Sequence, residues 1–358
     1  MNKTLFSGKG ISGLCATCDR RQKNQQGKSM SKIFFVFGLT LSLSAKALMP
    51  PDMPMRGMLF PESGRDNTNM LQVHYDQSFP RVGTSGLDEF GVRVHSAVIK
   101  AEQDTYSVNA GFSELQVNDK LPIPPWSGHR GFLVPRTLES ISVGGAWNRH
   151  LKNDDDFGLS LGIGSESDQP FYGIRETSIH LTALYHLPLS TRSNWTFFLN
   201  YSNNRTFANG VPLPGAMYSY VDPEKRIMLM AGFPLIFISY GITDRWDVRG
   251  SYFIPKSISL ETGYKIVPPA LRAYGRFEIQ QKSFLRETRE DLTEQLFFER
   301  DKLSLGLQLP LRADLVADIS TGYEYDRSFY ESERMQGLSD AVTLPDDWFA
   351  KAQLTYRF

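Results

Sequence analysis

Cysteine is scarce: 358 residues hold two, Cys15 and Cys18, both near the start. A disulfide scaffold is thereby excluded for everything downstream. A Cys-x-x-Cys pair does metal or redox chemistry only inside a folded frame, and here no second pair and no flanking strand or helix accompanies it. Long apolar runs are also lacking. The one sustained run, Ile33 to Leu43, falls well short of the about 20 residues of a membrane-spanning helix. Catalytic signatures are missing as well: there is no His-Glu-x-x-His, no phosphate-binding glycine loop and no zinc spacing. Hydrophobic residues make up 41% and charged residues 22%. Such bulk polarity is compatible with a membrane barrel, in which only alternate strand residues meet lipid.

The short apolar run sits in an export-signal pattern. Met30-Ser31-Lys32 supplies a start and a positive charge, 33–41 the apolar core, and Ala45 and Ala47 the small residues that a signal peptidase reads. The pattern predicts a signal peptide over 30–47, cleaved after Ala47. Residues 1–29 read as an N-terminal extension or a start-site artefact. Segment 48–69 is rich in Pro and Met and reads as a periplasmic tail or plug, because Pro cannot sit in a central strand. Its Met residues could hold Cu(I), but no His or Cys joins them, and a flexible tail is the plainer reading.

Cleavage would remove eight basic residues and one acidic residue. The rest would keep 31 of 39 basic and 38 of 39 acidic residues, a net charge of −7. That balance argues against nucleic acid as a partner.

From Met70 onward the dominant period is two. Phe157, Leu159, Leu161 and Ile163 alternate with Gly158, Ser160, Gly162 and Gly164. Leu303, Leu305, Leu307 and Leu309 alternate with Lys302, Ser304, Gly306 and Gln308. Successive strand side chains point to opposite faces, so each stretch has one apolar and one polar face. About fourteen such stretches are expected between 70 and 358. Twelve or sixteen remain open, since strand bounds read from sequence shift by several residues. Stretch 227–240 reads as one strand and 206–226 as a loop. Short connections, such as Ile242-Thr243-Asp244-Arg245 and Pro268-Pro269, alternate with longer ones at 117–136, 206–226, 284–295 and 328–347. Pro255-Lys256 breaks the alternation as a very short connection on the long-loop side.

The expected fold is therefore all-β: a transmembrane, antiparallel, up-and-down β-barrel. Three features favour lipid outside over a soluble barrel. The chain closes on alternating apolar residues, Leu354, Tyr356 and Phe358, like the assembly signal of outer-membrane barrels. Aromatic residues fall toward expected strand ends: Trp195, Tyr201, Trp246, Tyr252, Tyr264, Phe329, Tyr330 and Trp348. The polar faces carry more charge than a dry core tolerates, namely Asp247, Arg249, Glu261, Lys265, Arg272, Arg276, Glu278, Asp318, Glu324, Lys351 and Arg357. These are the expected lumen-lining residues.

The stretch Val211-Pro212-Leu213-Pro214-Gly215-Ala216-Met217-Tyr218-Ser219-Tyr220, followed by Gly232-Phe233-Pro234, resembles an uncharacterised (domain-of-unknown-function) family of predicted bacterial outer-membrane barrels. The resemblance implies fold and location, and carries no ligand or catalytic residue.

No enzyme, metal or cofactor is expected. His180 and His186 share one strand face, but nothing ties either to a nucleophile, and lumen-facing histidine is the default. Asp154-Asp155-Asp156 reads as turn chemistry rather than a cation site. Expected partners are outer-membrane lipid and, through the last strand, the barrel-assembly machinery. The expected function is a channel or transporter for small solutes, with mixed-sign lumen charges as a filter. The alternatives are a closed barrel that binds through its long external loops and, more weakly, a membrane-embedded lipid-modifying enzyme.

Overall fold

The computed structural model describes residues 69–79, 86–125, 131–205, 208–254, 256–289, 291–332 and 341–358. The expected signal peptide with Ala45 and Ala47, the extension 1–29 and all of 48–69 except Asn69 lie outside these residues.

Sixteen strands form one wall: β1 (Met70–Phe79), β2 (Leu87–Lys100), β3 (Asp104–Val117), β4 (Thr137–His150), β5 (Asp156–Ser167), β6 (Ser178–Ser190), β7 (Ser193–Ser202), β8 (Leu213–Asp222), β9 (Ile227–Gly232), β10 (Leu235–Gly241), β11 (Trp246–Phe253), β12 (Ser257–Val267), β13 (Leu271–Phe284), β14 (Gln295–Pro310), β15 (Leu315–Ser332) and β16 (Asp347–Arg357). A further piece, Val342–Leu344, pairs with the far end of β15. Each wall strand runs antiparallel to its neighbours in sequence. The wall closes where β16 pairs with β1, from Met70↔Arg357 to Phe79↔Trp348. Closure leaves no open edge, which a strand in hydrocarbon could not satisfy with water.

The count is sixteen rather than fourteen, and both extra strands come from one region. Stretch 227–240 is not one strand but two, β9 and β10, folded back on each other around Phe233-Pro234. Pro234 has no N–H for a ladder, so a hairpin turns there. The expected loop 206–226 contains β8, which pairs with both β7 and β9. Pro212 and Pro214 mask it in the sequence, yet Pro214 stands near the strand's start, where a missing donor is tolerated.

The wall is inside out relative to a soluble barrel. On β14, Lys302 is 1% exposed while Leu303 beside it is 57% exposed. Leu159, Leu161 and Ile163 on β5 likewise point outward and stand exposed. An apolar surface running around the whole wall far exceeds the patches that water-soluble monomers leave open. At the end carrying the short turns, aromatic rings pair across strands on the outer face. Trp147 meets Phe157 at 5.9 Å, Trp195 meets Tyr218 at 5.4 Å and Trp246 meets Tyr264 at 4.8 Å. Leu354, Tyr356 and Phe358 are exposed on the same outer face.

The wall is uneven in height. β9, β10 and β11 have 6, 7 and 8 residues, whereas β13, β14 and β15 have 14, 16 and 18. The tall side bends where its ladder breaks: the β14–β15 register shifts between Glu299 and Asp301, and Asp326 takes a φ of 50°. A bulge adds a residue to one strand and bends it. Beyond this bulge the three strands form a tongue that crosses the loop end of the barrel. Its tip reaches the opposite wall. Leu285, just past β13, donates its backbone N–H to the Glu166 carbonyl on β5 at 2.6 Å. In a ring of sixteen, β5 and β13 are eight strands apart.

One face of the tongue is apolar. Phe284, Leu296, Phe298 and Phe329 pack against Leu87, Leu115, Val117 and Leu138 of β2–β4, and against Leu121, Ile123 and Val134 of the β3–β4 connection. That connection folds inward as a small hairpin, Pro122–Ile123 against Phe132–Leu133. Each such side chain, taken fully out of water, contributes about 1.5–3 kcal/mol. Phe329 and Tyr330 are therefore not membrane-interface aromatics as their position near a strand end suggests. They are buried in the mouth.

Candidate functional site

The lumen carries two tiers of charge. The tier near the turn end is built from β11–β15. Arg272 donates to Asp247 Oδ2 at 3.0 Å and to Glu261 Oε1 at 2.7 Å. Arg276 donates to Glu261 Oε2 at 2.8 Å. Arg249 lies 3.3 Å from Asp247 and 3.5 Å from Glu261. Tyr274 donates to Asp318, and the Arg276 guanidinium lies 4.7 Å from the centre of its ring. Two inward-facing glycines make this packing possible. A Cβ at Gly263 would stand 2.0 Å from the Arg272 guanidinium, and one at Gly306 would stand 2.3 Å from the Tyr274 ring.

The second tier lies below the tongue, on six consecutive strands from β13 round to β2. Glu324 is its hub. It takes Lys302 at 2.6 Å, Arg300 at 3.3 Å and Arg327 at 3.5 Å. Lys302 also reaches Asp76, and Arg327 reaches Asp347 at 2.5 Å. Arg300 bridges to Glu89 at 2.7 Å, which further holds Lys282 at 2.6 Å and His74 at 3.3 Å. Charges balance in both tiers. Arg249, Arg272 and Arg276 face Asp247, Glu261 and Asp318; Lys282, Arg300, Lys302 and Arg327 face Asp76, Glu89, Glu324 and Asp347. Breaking one such buried pair leaves an uncompensated charge, which costs about 3–5 kcal/mol.

Beneath the tongue is a cavity of about 570 Å³. Its polar lining includes Gln72, Ser142, Ser259, Gln280 and Gln353. Arg205, just past β7, also lines it, and burial pulls that guanidinium below its ordinary range. A latch joins the tongue tip to the far rim. Arg289 donates to Glu176 at 3.3 Å and to the Arg175 carbonyl at 2.6 Å. The Glu287 backbone N–H donates to Asp168 at 2.9 Å, and the Gln295 amide to Asn204 Oδ1 at 2.9 Å.

Of the charges expected in the lumen, Asp247, Arg249, Glu261, Arg272, Arg276 and Asp318 form the first tier, and Glu324 centres the second. Glu278 and Lys351 line the cavity. Lys265 and Arg357 are half-buried at the turn end, outside both tiers. The sequence reading missed Asp76, Glu89, Lys282, Arg300, Lys302, Arg327 and Asp347. Lys302 was findable, since it stands on the polar side of the Leu303–Leu309 alternation. His180 and His186 face the lumen side of β6, and His186 Nδ1 lies 3.1 Å from Thr196 Oγ1. Among the described residues no group of His, Cys, Asp and Glu is arranged to hold a metal ion.

No family model matches the chain, so the family resemblance noted above stays a resemblance. No curated protein matches it either. Solved structures with a similar trace include three barrels. An outer membrane channel from Pseudomonas putida F1 is 9% identical, over 81% of this chain and 95% of that one, with a TM-score of 0.30. The translocator domain of the autotransporter NalP from Neisseria meningitidis is 11% identical, over 92% and 98%, with a TM-score of 0.30. The toluene transporter TodX of Pseudomonas putida is 8% identical, over 82% and 90%, with a TM-score of 0.33. Likeness at this level does not bear on strand number, lumen or role, which rest on the geometry above.

Proposed function

We propose that this chain is a gated channel of the bacterial outer membrane for small solutes, closed here at its external mouth. The observation that carries this reading is the cavity of about 570 Å³ lying under a tongue that spans the mouth. The closed wall, its apolar outside and the expected leader ending at Ala47 support the outer membrane as the location. The turn end then faces the periplasm and the loop end faces out. On this reading the barrel is not an enzyme, and its partners are lipid and the assembly machinery that reads Leu354, Tyr356 and Phe358.

The tongue has the makings of a gate. It bends at a bulge, packs by an apolar face on one side and is held by a few polar contacts on the other. The balanced tiers supply no strong field of either sign. Filtering by tier charge, as the sequence suggests, is therefore secondary to opening the mouth.

The test is single-channel recording of the folded protein in a planar bilayer, wild type beside a variant lacking 286–293. Rare or small conductance in the wild type and stepwise conductance in the variant are expected. A folded, heat-modifiable variant that stays silent would leave the second reading: a closed barrel whose balanced ion pairs merely fill it.

A further inference from the structure

Most charges in the cavity are already paired with opposite charges. Asp76, Glu89, His74, Lys282 and Arg300 are tied into the tier below the tongue, and Lys351 is engaged as well. Four lining groups are different. Arg93 on β2 is exposed to the lumen and has no ion pair or hydrogen bond among the described residues, and neither has Glu278 on β13. Arg205 is held by neutral oxygens alone: the Asn200 carbonyl at 3.1 Å, Asn200 Oδ1 at 2.8 Å and the Val211 carbonyl at 3.4 Å. Glu166 accepts from the Asn204 amide at 2.8 Å and meets no cation among the described residues. One cavity thus keeps two guanidiniums and two carboxyls without opposite charges among the described residues, beside a tier whose ions are paired.

An ion left unpaired away from bulk water is costly unless something polar completes it. A purely anionic solute would satisfy Arg93 and Arg205 while facing Glu166 and Glu278. A cation would do the reverse, and a neutral sugar would hydrogen-bond to both sets but neutralise neither. Only a solute with both signs neutralises groups of both kinds. A cavity of about 570 Å³ lies within the range of small-ligand sites, about 300–1,000 Å³.

We propose that the cavity binds a zwitterion of the amino-acid or short-peptide class. Its carboxylate meets Arg93 and its ammonium meets Glu278, with Arg205 and Glu166 lining the same cavity. This rests on the channel reading for its purpose, though binding can be measured without transport.

The experiment is calorimetry on the whole folded protein in detergent, with three probes: trialanine, N-acetyl-trialanine and trialanine amide. Trialanine should bind, and each blocked form should bind about tenfold more weakly, the loss of one charge-assisted contact. Arg93→Gln should erase the preference over the amide and leave that over the acetylated form. Glu278→Gln should do the opposite. Equal affinity for the three probes, no binding at all, or variants that weaken all three alike would overturn the proposal. The bilayer recordings separate it from the channel reading. Probe binding to a barrel that never conducts keeps this site and removes the channel. A conducting barrel indifferent to all three peptides does the reverse.

Discussion

Leu285 and Glu166 stand on opposite sides of a ring of sixteen strands, yet the N–H of one donates to the carbonyl of the other at 2.6 Å. Ser167 and Leu285 also form an isolated parallel bridge. A backbone contact across a lumen requires one wall to come to the other, and the tongue of β13–β15 does so.

Cysteines placed at Ser167 and Leu285 should therefore form a disulfide, since bridge partners lie within the Cα spacing that one needs. Processing after Ala47 would remove Cys15 and Cys18, leaving the introduced pair as the only thiols. Oxidation should abolish channel steps and reductant should restore them. Steps that persist in a fully oxidised sample would show that the tongue does not gate.

Arg289→Ala should favour the open mouth. It removes the contacts to Glu176 and the Arg175 carbonyl while touching no strand. Open probability should rise severalfold, with the heat-modification temperature little changed. An unaltered open probability would mean that the latch is incidental.

Glu324→Gln should destabilise the barrel by about 3–5 kcal/mol, because Lys302, Arg300 and Arg327 lose a shared acid at a site without exposure. Arg149→Ala, at an exposed pair with Asp104, should shift the urea midpoint far less. Urea unfolding followed by heat modifiability compares the two. Similar midpoints would mean that the Glu324 tier is well hydrated.

Leu305→Arg tests the outer face. Leu305 is 72% exposed, so in a water-soluble protein the change would shift stability by no more than about 0.5 kcal/mol. Facing lipid, it should cost about 2–4 kcal/mol near the bilayer centre. Unchanged stability in vesicles would contradict a lipid-facing wall.

Gly263→Ala probes packing within the lumen. The added methyl takes the place of the Arg272 guanidinium, so that side chain must leave Asp247 and Glu261. Overpacking of this kind costs about 1–3 kcal/mol, read as a lower urea midpoint.

Much of this barrel is legible in one dimension, because alternation is a local property. Leu303 to Leu309 shows its two faces without reference to any other strand, and the inner face then contains Lys302. Ion-pair partners are not local. Nothing near Lys302 in the chain points to Asp76, which joins it only because β16 and β1 close the ring. β8 was hidden by Pro212 and Pro214, which read as a loop until their place at the strand's beginning is seen. Phe329 and Tyr330 misled for a different reason. β15 runs past the membrane zone, and the bulge at Asp326 resets which side faces in.

The short strands β9 and β10 set how the molecule can stand in a bilayer. On β10 the outward residues from Ile236 to Tyr240 span about 13 Å of strand, at about 3.3 Å per residue. A typical lipid-facing band is about 25 Å tall. Lipid beside this hairpin must compress, or the barrel axis must lean toward it, and each ångström of mismatch costs a fraction of a kcal/mol. The strain falls on one fixed flank. The protein thereby carries a compass bearing in the plane of the membrane, one flank on which the bilayer meets the shortest strands.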